Sequence, residues 1–130
     1  MAKRVIPVAR SIYVCDYHYS SERYKHDLYG VFNAIRATSF PHVQEKFCLF
    51  AQLTNGLGRV PFFFDVRHAE TRELVHITET RILEFPDRNT LIYMVVSVEA
   101  CRFPRDGLYL IELFCDNTWV GDTTLLVLAE

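Results

Sequence analysis

The chain has 130 residues, of which half are apolar, 14% aromatic and 23% charged, with a formal net charge of -2. This composition excludes an intrinsically disordered chain and predicts a single domain over residues 1–130. Binding to phosphate backbones requires an excess of Lys and Arg, and this sequence does not have one, so no nucleic-acid partner is expected.

The sequence also predicts a cytoplasmic protein that does not associate with membranes. No apolar run approaches the ~20 residues of a membrane-spanning helix. The basic N-terminus is followed by an apolar stretch that Pro7 and Arg10 interrupt, so it lacks the apolar core of a signal peptide.

Apolar residues alternate with polar ones along most of the chain, a period that is typical of strands rather than helices. Turn-forming Gly, Pro, Asn and Asp punctuate the alternation at nearly regular spacing. About eight strands are predicted, with one irregularity near Thr80: 11–19, 28–37, 47–54, 60–66, 74–85, 91–103, 108–115 and 120–128. Because no helical segment separates them, we predict an all-β fold, a two-sheet antiparallel β-sandwich that is immunoglobulin-like or C2-like.

Alternation is clearest from residue 60 to residue 67. Val60, Phe62, Phe64 and Val66 form one face, which predicts the core, and Phe63 lies on the other face with Pro61, Asp65 and Arg67. Because proline cannot donate a ladder hydrogen bond, this strand should begin at a sheet edge, or Pro61 should point away from its neighbour.

The strand at 91–103 is apolar on both faces, which is typical of a central strand covered on both sides or of an oligomer interface. If its outer face coincides with that of Phe63, the combined patch predicts a homodimer with a two-fold interface.

The cysteines and histidines give no sign of a metal or redox centre. The four cysteines are isolated in apolar segments and form no C-x-x-C pair, which predicts buried free thiols. Among the histidines, only His68 and His76 flank a predicted hairpin and could face each other across it. We therefore predict no metal site, and no cofactor.

Catalytic and calcium-binding arrangements are similarly absent. No G-x-S-x-G elbow or phosphate loop occurs, and alternation places Cys15 opposite Asp16 and His18, so no catalytic residues are predicted and an enzyme is not expected. Four aspartates, at positions 65, 87, 106 and 116, could gather at one end of a sandwich and bind calcium, but without a D-x-D repeat they favour turns that bond their own backbone.

Two resemblances support the sandwich. The segment from Pro104 through Gly107 and Tyr109 into LIELFCDNTWVG resembles the end of immunoglobulin-like modules, in which a tyrosine hydroxyl pins the preceding corner. More broadly, Cys15-Asp16, Gly30-Val31-Phe32, Phe40-Pro41, Gly56-x-Gly58 and Gly107-x-Tyr109 are similar to a family of short bacterial proteins of unknown function. This resemblance implies structural roles for Gly30, Pro41, Gly107 and Tyr109, and no catalytic residues.

The remaining signal is an excess of aromatic residues, which protein interfaces favour. The leading interpretation is a non-catalytic binding or scaffold module of a bacterial cytoplasmic system that contacts a protein partner or a copy of itself. Its candidate binding residues are Phe63, Trp119, Tyr17 and Tyr19. The alternatives are a small-ligand or carbohydrate-binding sandwich, with Trp119 and nearby tyrosines as a stacking platform, and an enzyme whose residues meet only in three dimensions.

Overall fold

The computed structural model describes residues 3–130, which contain ten β-strands. The strands are β1 (Val8–Glu22), β2 (Lys25–Val31), β3 (Ala34–Ala37), β4 (His42–Thr54), β5 (Gly58–His68), β6 (Leu74–Ile77), β7 (Arg81–Phe85), β8 (Ile92–Phe103), β9 (Gly107–Cys115) and β10 (Thr118–Ala129). These residues form no α-helix, and therefore no helix among them could cross a membrane.

The strands form two sheets that pack face to face as a sandwich. One sheet has four strands in the order β2-β1-β4-β8, and the other has six, in the order β3-β10-β9-β5-β6 with β7 also paired to β5. The predicted all-β sandwich is confirmed. The prediction of a purely antiparallel fold is wrong at one place, since β3 runs parallel to β10.

The core lies between the sheets and follows from the period-two alternation. On β4, Phe47, Leu49, Ala51 and Leu53 are fully buried, and on β5 the predicted apolar face from Val60 to Val66 is buried as well. The four cysteines are free and buried, as predicted. Burial raises the pKa of both Cys101 and Cys115 to about 12, so these thiols stay protonated at neutral pH.

Two predicted strands are each divided in the structure. The segment 28–37 breaks at Phe32 and Asn33, where the chain leaves the four-stranded sheet and β3 joins the other sheet beside β10. The segment 74–85 breaks near Thr80, as the lapse in alternation indicated, and gives β6 and β7. The ten strands therefore replace the predicted eight through one change of sheet that the sequence did not indicate, at Phe32 and Asn33, and one interruption that it did, near Thr80.

Two predictions about sheet position need correction. The first alternative for Pro61, a sheet edge, is wrong, because β5 lies between β9 and the pair β6 and β7. The Pro61 carbonyl accepts from the N–H of Asp116 in the β9–β10 turn. The nitrogen of Pro61 lies on the same side of β5 as its carbonyl, beyond the last residue pair of β5 and β9, so no ladder hydrogen bond is lost. Conversely, β8 is an edge strand rather than a central one.

A buried corner closes one end of the sandwich at the loop before β9. The hydroxyl of Tyr109, a fully buried residue, donates to the carbonyl of Arg105 at 2.7 Å. The imidazole of His68 packs edge-on against the Tyr109 ring and its Nε2 bonds the carbonyl of Asp106 at 3.0 Å. Gly107 has a φ of 124°, and a Cβ there would lie 2.5 Å from that Nε2, so glycine is required for both conformation and space.

Tyr109→Phe should lower the free energy of unfolding by about 1 kcal/mol, because it leaves the ring packing intact and removes the only side-chain donor to the Arg105 carbonyl among the described residues. Urea denaturation measures the change. Tyr13→Phe, at an exposed tyrosine, is the control and should have no effect. Equal midpoints for Tyr109→Phe and the wild type would contradict the structural role of this hydroxyl.

Candidate functional site

An aromatic row crosses the outer face of the six-stranded sheet. Phe63 on β5 lies opposite Phe114 on β9, and Phe114 lies opposite Trp119 on β10. The rings of Phe63 and Phe114 stack at 5.1 Å with an angle of 11°, and both are half-buried, while Trp119 is 52% exposed. Phe63 therefore points outward, as predicted, and Trp119 lies on the same surface.

An acidic row runs beside the aromatic one. Asp65, Glu112 and Asp122 occupy matching positions on β5, β9 and β10. Asp65 and Glu112 are buried, at 3% and 8% exposure, although they project from the outside of the sandwich. Arg67, two residues along β5, places its Nε 3.3 Å from Asp65 Oδ2 and 3.9 Å from Glu112 Oε1.

The carboxylates of the acidic row are incompletely compensated. Asp65 Oδ1 has no hydrogen-bond partner among the described residues and no exposed surface. Burial raises the pKa of Glu112, the negative charge of Asp65 raises it further, and Arg72 and Arg67 oppose the shift. One guanidinium therefore lies within salt-bridge distance of two buried acids, which leaves this face able to accept another cation or hydrogen-bond donor.

Glu112→Gln should stabilise the fold by about 1 kcal/mol at neutral pH, because the amide is uncharged and offers a donor close to the unpaired Asp65. The sign follows from the raised pKa of Glu112: ionisation costs stability above that pKa, and the cost vanishes as the carboxyl protonates at lower pH. Chemical denaturation at pH 7 measures the gain. Asp122→Asn, at an exposed carboxylate of the same row, is the control. A Glu112→Gln variant that is less stable than the wild type would refute the unfavourable interaction between Glu112 and Asp65.

The hairpin of β1 and β2 curls over the outer face of its own four-stranded sheet. His18 and His26 lie on this hairpin, and their rings contact Phe50 and Tyr93, which project outward from β4 and β8. Their imidazoles also meet, with Nε2 of His18 3.1 Å from Nδ1 of His26. Phe50 is only 3% exposed as a result. These four rings form a histidine clasp that holds the hairpin against the sheet.

The tyrosines predicted on this hairpin face solvent. The rings of Tyr17 and Tyr29 lie 5.7 Å apart across the two strands, and Tyr19 is also exposed. Gly30, with a φ of 64°, sits where any Cβ would collide with the Asp16 carboxylate, which explains a structural role for this glycine. Pro41 follows a cis peptide bond in the loop before β4.

Trp119 and the tyrosines of the hairpin do not form the suggested stacking platform. Gly121, two residues after Trp119, approaches Ala9 and Ile12 near the start of β1. Tyr17 and Tyr19 lie on the other half of β1, in the four-stranded sheet. The candidate binding residues therefore belong to two separate surfaces.

Stability should fall as the pH drops below about 6.5, because folding lowers the pKa of His18. Burial is the main cause, the neighbouring His26 adds to it, and Asp27 opposes it. The unfolded chain then binds the proton first, so stability is complete above the unfolded pKa and declines toward the lowered one. Burial also lowers the pKa of His76, which adds to the loss of stability at low pH.

Urea midpoints at about pH 7.5 and about pH 5.5 measure this dependence. His18→Phe should reduce the difference between the two midpoints and His76→Phe should reduce it independently. An unchanged difference in His18→Phe would contradict the assignment.

Two further candidates for chemistry, His68 and Asp87, bond to the backbone. His68 and His76 do not face each other as ligands, because Nδ1 of His68 accepts from the N–H groups of Glu70 and Thr71 and its Nε2 bonds the backbone as well. Asp87 accepts from the N–H groups of Asn89 and Thr90 in its own turn, as the favoured interpretation required. Within residues 3–130, no three His, Cys, Asp or Glu side chains form a group that could hold a metal ion.

Sequence reasoning missed Glu112, Phe114 and Asp122. Alternation along 108–115 places Glu112 and Phe114 on one face, so the signal was present. Their partnership with Asp65 and Phe63 depends on the pairing of β5 with β9, strands that are separated by three others in the chain. Only the sheet order reveals it.

Comparison of the sequence with known families decides the affiliation. Residues 10–128 match a family of unknown function, DUF6941. The chain belongs to this family. The predicted resemblance to a domain of unknown function is thereby confirmed, and the curated proteins contain no match.

Among solved structures, part of a larger protein has a fold similar to that of this chain. The chain is similar to part of an alkylpurine DNA glycosylase of Pseudomonas fluorescens, AlkC, solved with DNA that contains an abasic-site analogue; the TM-score is 0.56 at 6% identity. The match covers 98% of this chain and spans 30% of the glycosylase. An immunoglobulin-like protein of Pseudomonas aeruginosa matches over 95% of this chain and 97% of its own, with a TM-score of 0.42 and 10% identity.

Proposed function

We propose that this DUF6941 chain is a non-catalytic protein-binding module of a bacterial cytoplasmic system, and that it binds its partner with the outer face of the six-stranded sheet. The observation that carries the proposal is the aromatic row of Phe63, Phe114 and Trp119 beside the buried acidic row. Rigid aromatic rings contribute large contact areas at interfaces with little loss of conformational entropy.

The acidic row defines the chemistry of the partner. Glu112 and Asp65 lie in a poorly hydrated environment with one guanidinium beside them. A Lys or Arg side chain of a partner would add the missing positive charge, and the exposed ring of Trp119 offers it a cation–π contact. The expected ligand is therefore a protein segment that carries a basic residue among apolar ones.

Other classes of function have less support. The net charge of -2 and the acidic row disfavour a nucleic-acid partner, so the DNA bound by the glycosylase is not transferred to this chain. The separation of Trp119 from Tyr17 and Tyr19 disfavours the ligand-binding alternative. An enzyme is disfavoured because the buried thiols of Cys101 and Cys115 are protonated and both ring nitrogens of His68 bond the backbone. No cofactor and no membrane association are proposed.

Trp119→Glu should weaken partner binding by about tenfold or more, because a tryptophan that becomes buried at an interface is among the costliest residues to lose. The attraction between the new carboxylate and a basic partner residue does not replace the lost contact area. Affinity capture from the source organism identifies the partner, and titration of that purified partner gives the affinity. Phe63→Glu should have the same effect.

Tyr29→Glu is the matched control, since Tyr29 is also 52% exposed but lies on the other sheet. A partner that Tyr29→Glu retains and Trp119→Glu loses supports the proposal. If Trp119→Glu and Phe63→Glu both bind the partner as tightly as the wild type does, the proposal is refuted.

A further inference from the structure

The strand β8 has a sheet neighbour on one side only. It pairs with β4 from Ile92 to Phe103 and forms the edge of the four-stranded sheet. This edge is distinct from the outer face on which the proposed function rests. Twelve residues make it one of the longest strands in the fold, whereas the edge strands β3 and β6 of the other sheet have four residues each.

The register identifies the backbone groups that point to the free side. The N–H of Phe32 bonds the carbonyl of Val14, so the backbone groups of Val14 point toward β2. Leu49 lies opposite Val14 and must point the other way, toward β8, where it lies opposite Val96. The N–H and C=O of Val96 are therefore used by β4.

Because backbone direction alternates along a strand, the groups of Tyr93, Val95 and Ser97 point away from β4. No backbone hydrogen bond to a turn or loop reaches these three residues in the part of the chain that the structure describes. The unpaired donors and acceptors thus form a regular row along the free edge.

The sequence does not protect this edge. Ile92–Val98 reads IYMVVSV and contains no charge, proline or glycine. Exposed edges normally carry Lys, Pro, a bulge or an inward charge that prevents strand addition. Here such features begin only after the segment, at Glu99 and at Ala100, whose φ is 52°.

The space beside the edge is open. A groove of about 420 Å³ separates Val96, Ser97 and Glu99 from the residues of β6 and the linker to β7. The groove lies beside the free edge of β8, and no strand of the described residues pairs with β8 there.

We propose that β8 pairs with β8 of a second copy of this chain, antiparallel and centred on Val95. In this register Ile92 lies opposite Val98, Tyr93 opposite Ser97 and Val95 opposite itself, so the uncharged segment is its own complement. The two four-stranded sheets become one continuous eight-stranded sheet across a two-fold axis. In this register every outward N–H and C=O of Tyr93, Val95 and Ser97 meets a complementary group and no charge enters the pairing, which favours a second copy over a peptide segment that carries charges.

Light scattering across the micromolar range tests the assembly, and the wild type should have a mass of about 30 kDa, twice the 15.2 kDa of the chain. Val95→Pro removes one outward N–H and leaves the ladder to β4 intact, so it should give a folded monomer of about 15 kDa. The double variant Val95→Lys/Ser97→Lys places like charges across the axis and should do the same. Circular dichroism verifies the fold of each, and Val31→Lys, on the opposite edge strand β2, should remain a dimer.

Amide hydrogen exchange adds a readout that a merely structural change would not move. In the dimer, Tyr93, Val95 and Ser97 should exchange as slowly as Met94 and Val96, and dilution should speed the exchange of the first three only. A wild-type monomer, or a dimer that survives both Val95 variants, overturns the proposal. A dimer lost in Phe63→Glu but kept in Val95→Pro also overturns it and assigns self-association to the aromatic row instead.

Discussion

The pairing register of β5 is the constraint on which both faces of the six-stranded sheet depend. Val60, Phe62, Phe64 and Val66 enter the core because Phe63, Asp65 and Arg67 point outward, and a slip by one residue would exchange the two sets. The exchange would bury two charges between the sheets and expose two phenylalanines. The apolar core thus fixes the position of the candidate site, although the site contributes little to the core.

The same register explains why charged groups are buried on an outer surface. Asp65 and Glu112 face each other across β5 and β9, with aromatic rings on one side along the strands and Arg67 on the other. Neighbouring side chains exclude water from the carboxylates without supplying enough donors to replace it. Such an arrangement costs stability in the free protein, and the partner proposed above would recover that cost by supplying the missing charge.

Local patterns in the sequence predicted what depends on neighbours along the chain. The alternation of β5 and the turns at Asp87 and Asp116 follow from residue type and spacing, and the corner at Gly107 and Tyr109 follows from the resemblance to immunoglobulin-like modules. The change of sheet at Phe32 and Asn33 was not predictable in this way, since a local bend at Asn33 does not indicate which sheet the chain enters next.

Relations between distant strands were also out of reach. The predicted homodimer through Phe63 is conditional on one patch shared with the outer face of β8, and that condition is not met, because β5 and β8 belong to different sheets. An apolar strand reads the same whether a neighbouring strand, an overlying hairpin or a second subunit covers it. For β8 the hairpin covers part of the outer face through the histidine clasp, and the edge remains open.

The parallel pairing of β3 with β10 has a consequence for the order of folding. Ile35 and Ala37 are buried only when β3 lies beside Leu126 to Ala129, some ninety residues later in the sequence. During synthesis this short strand must wait, unpaired, until nearly the whole domain has left the ribosome, because no earlier segment offers it a partner. Closing so long a loop is slow and entropically costly. The crossing between sheets is therefore a late event that completes the sandwich rather than one that nucleates it.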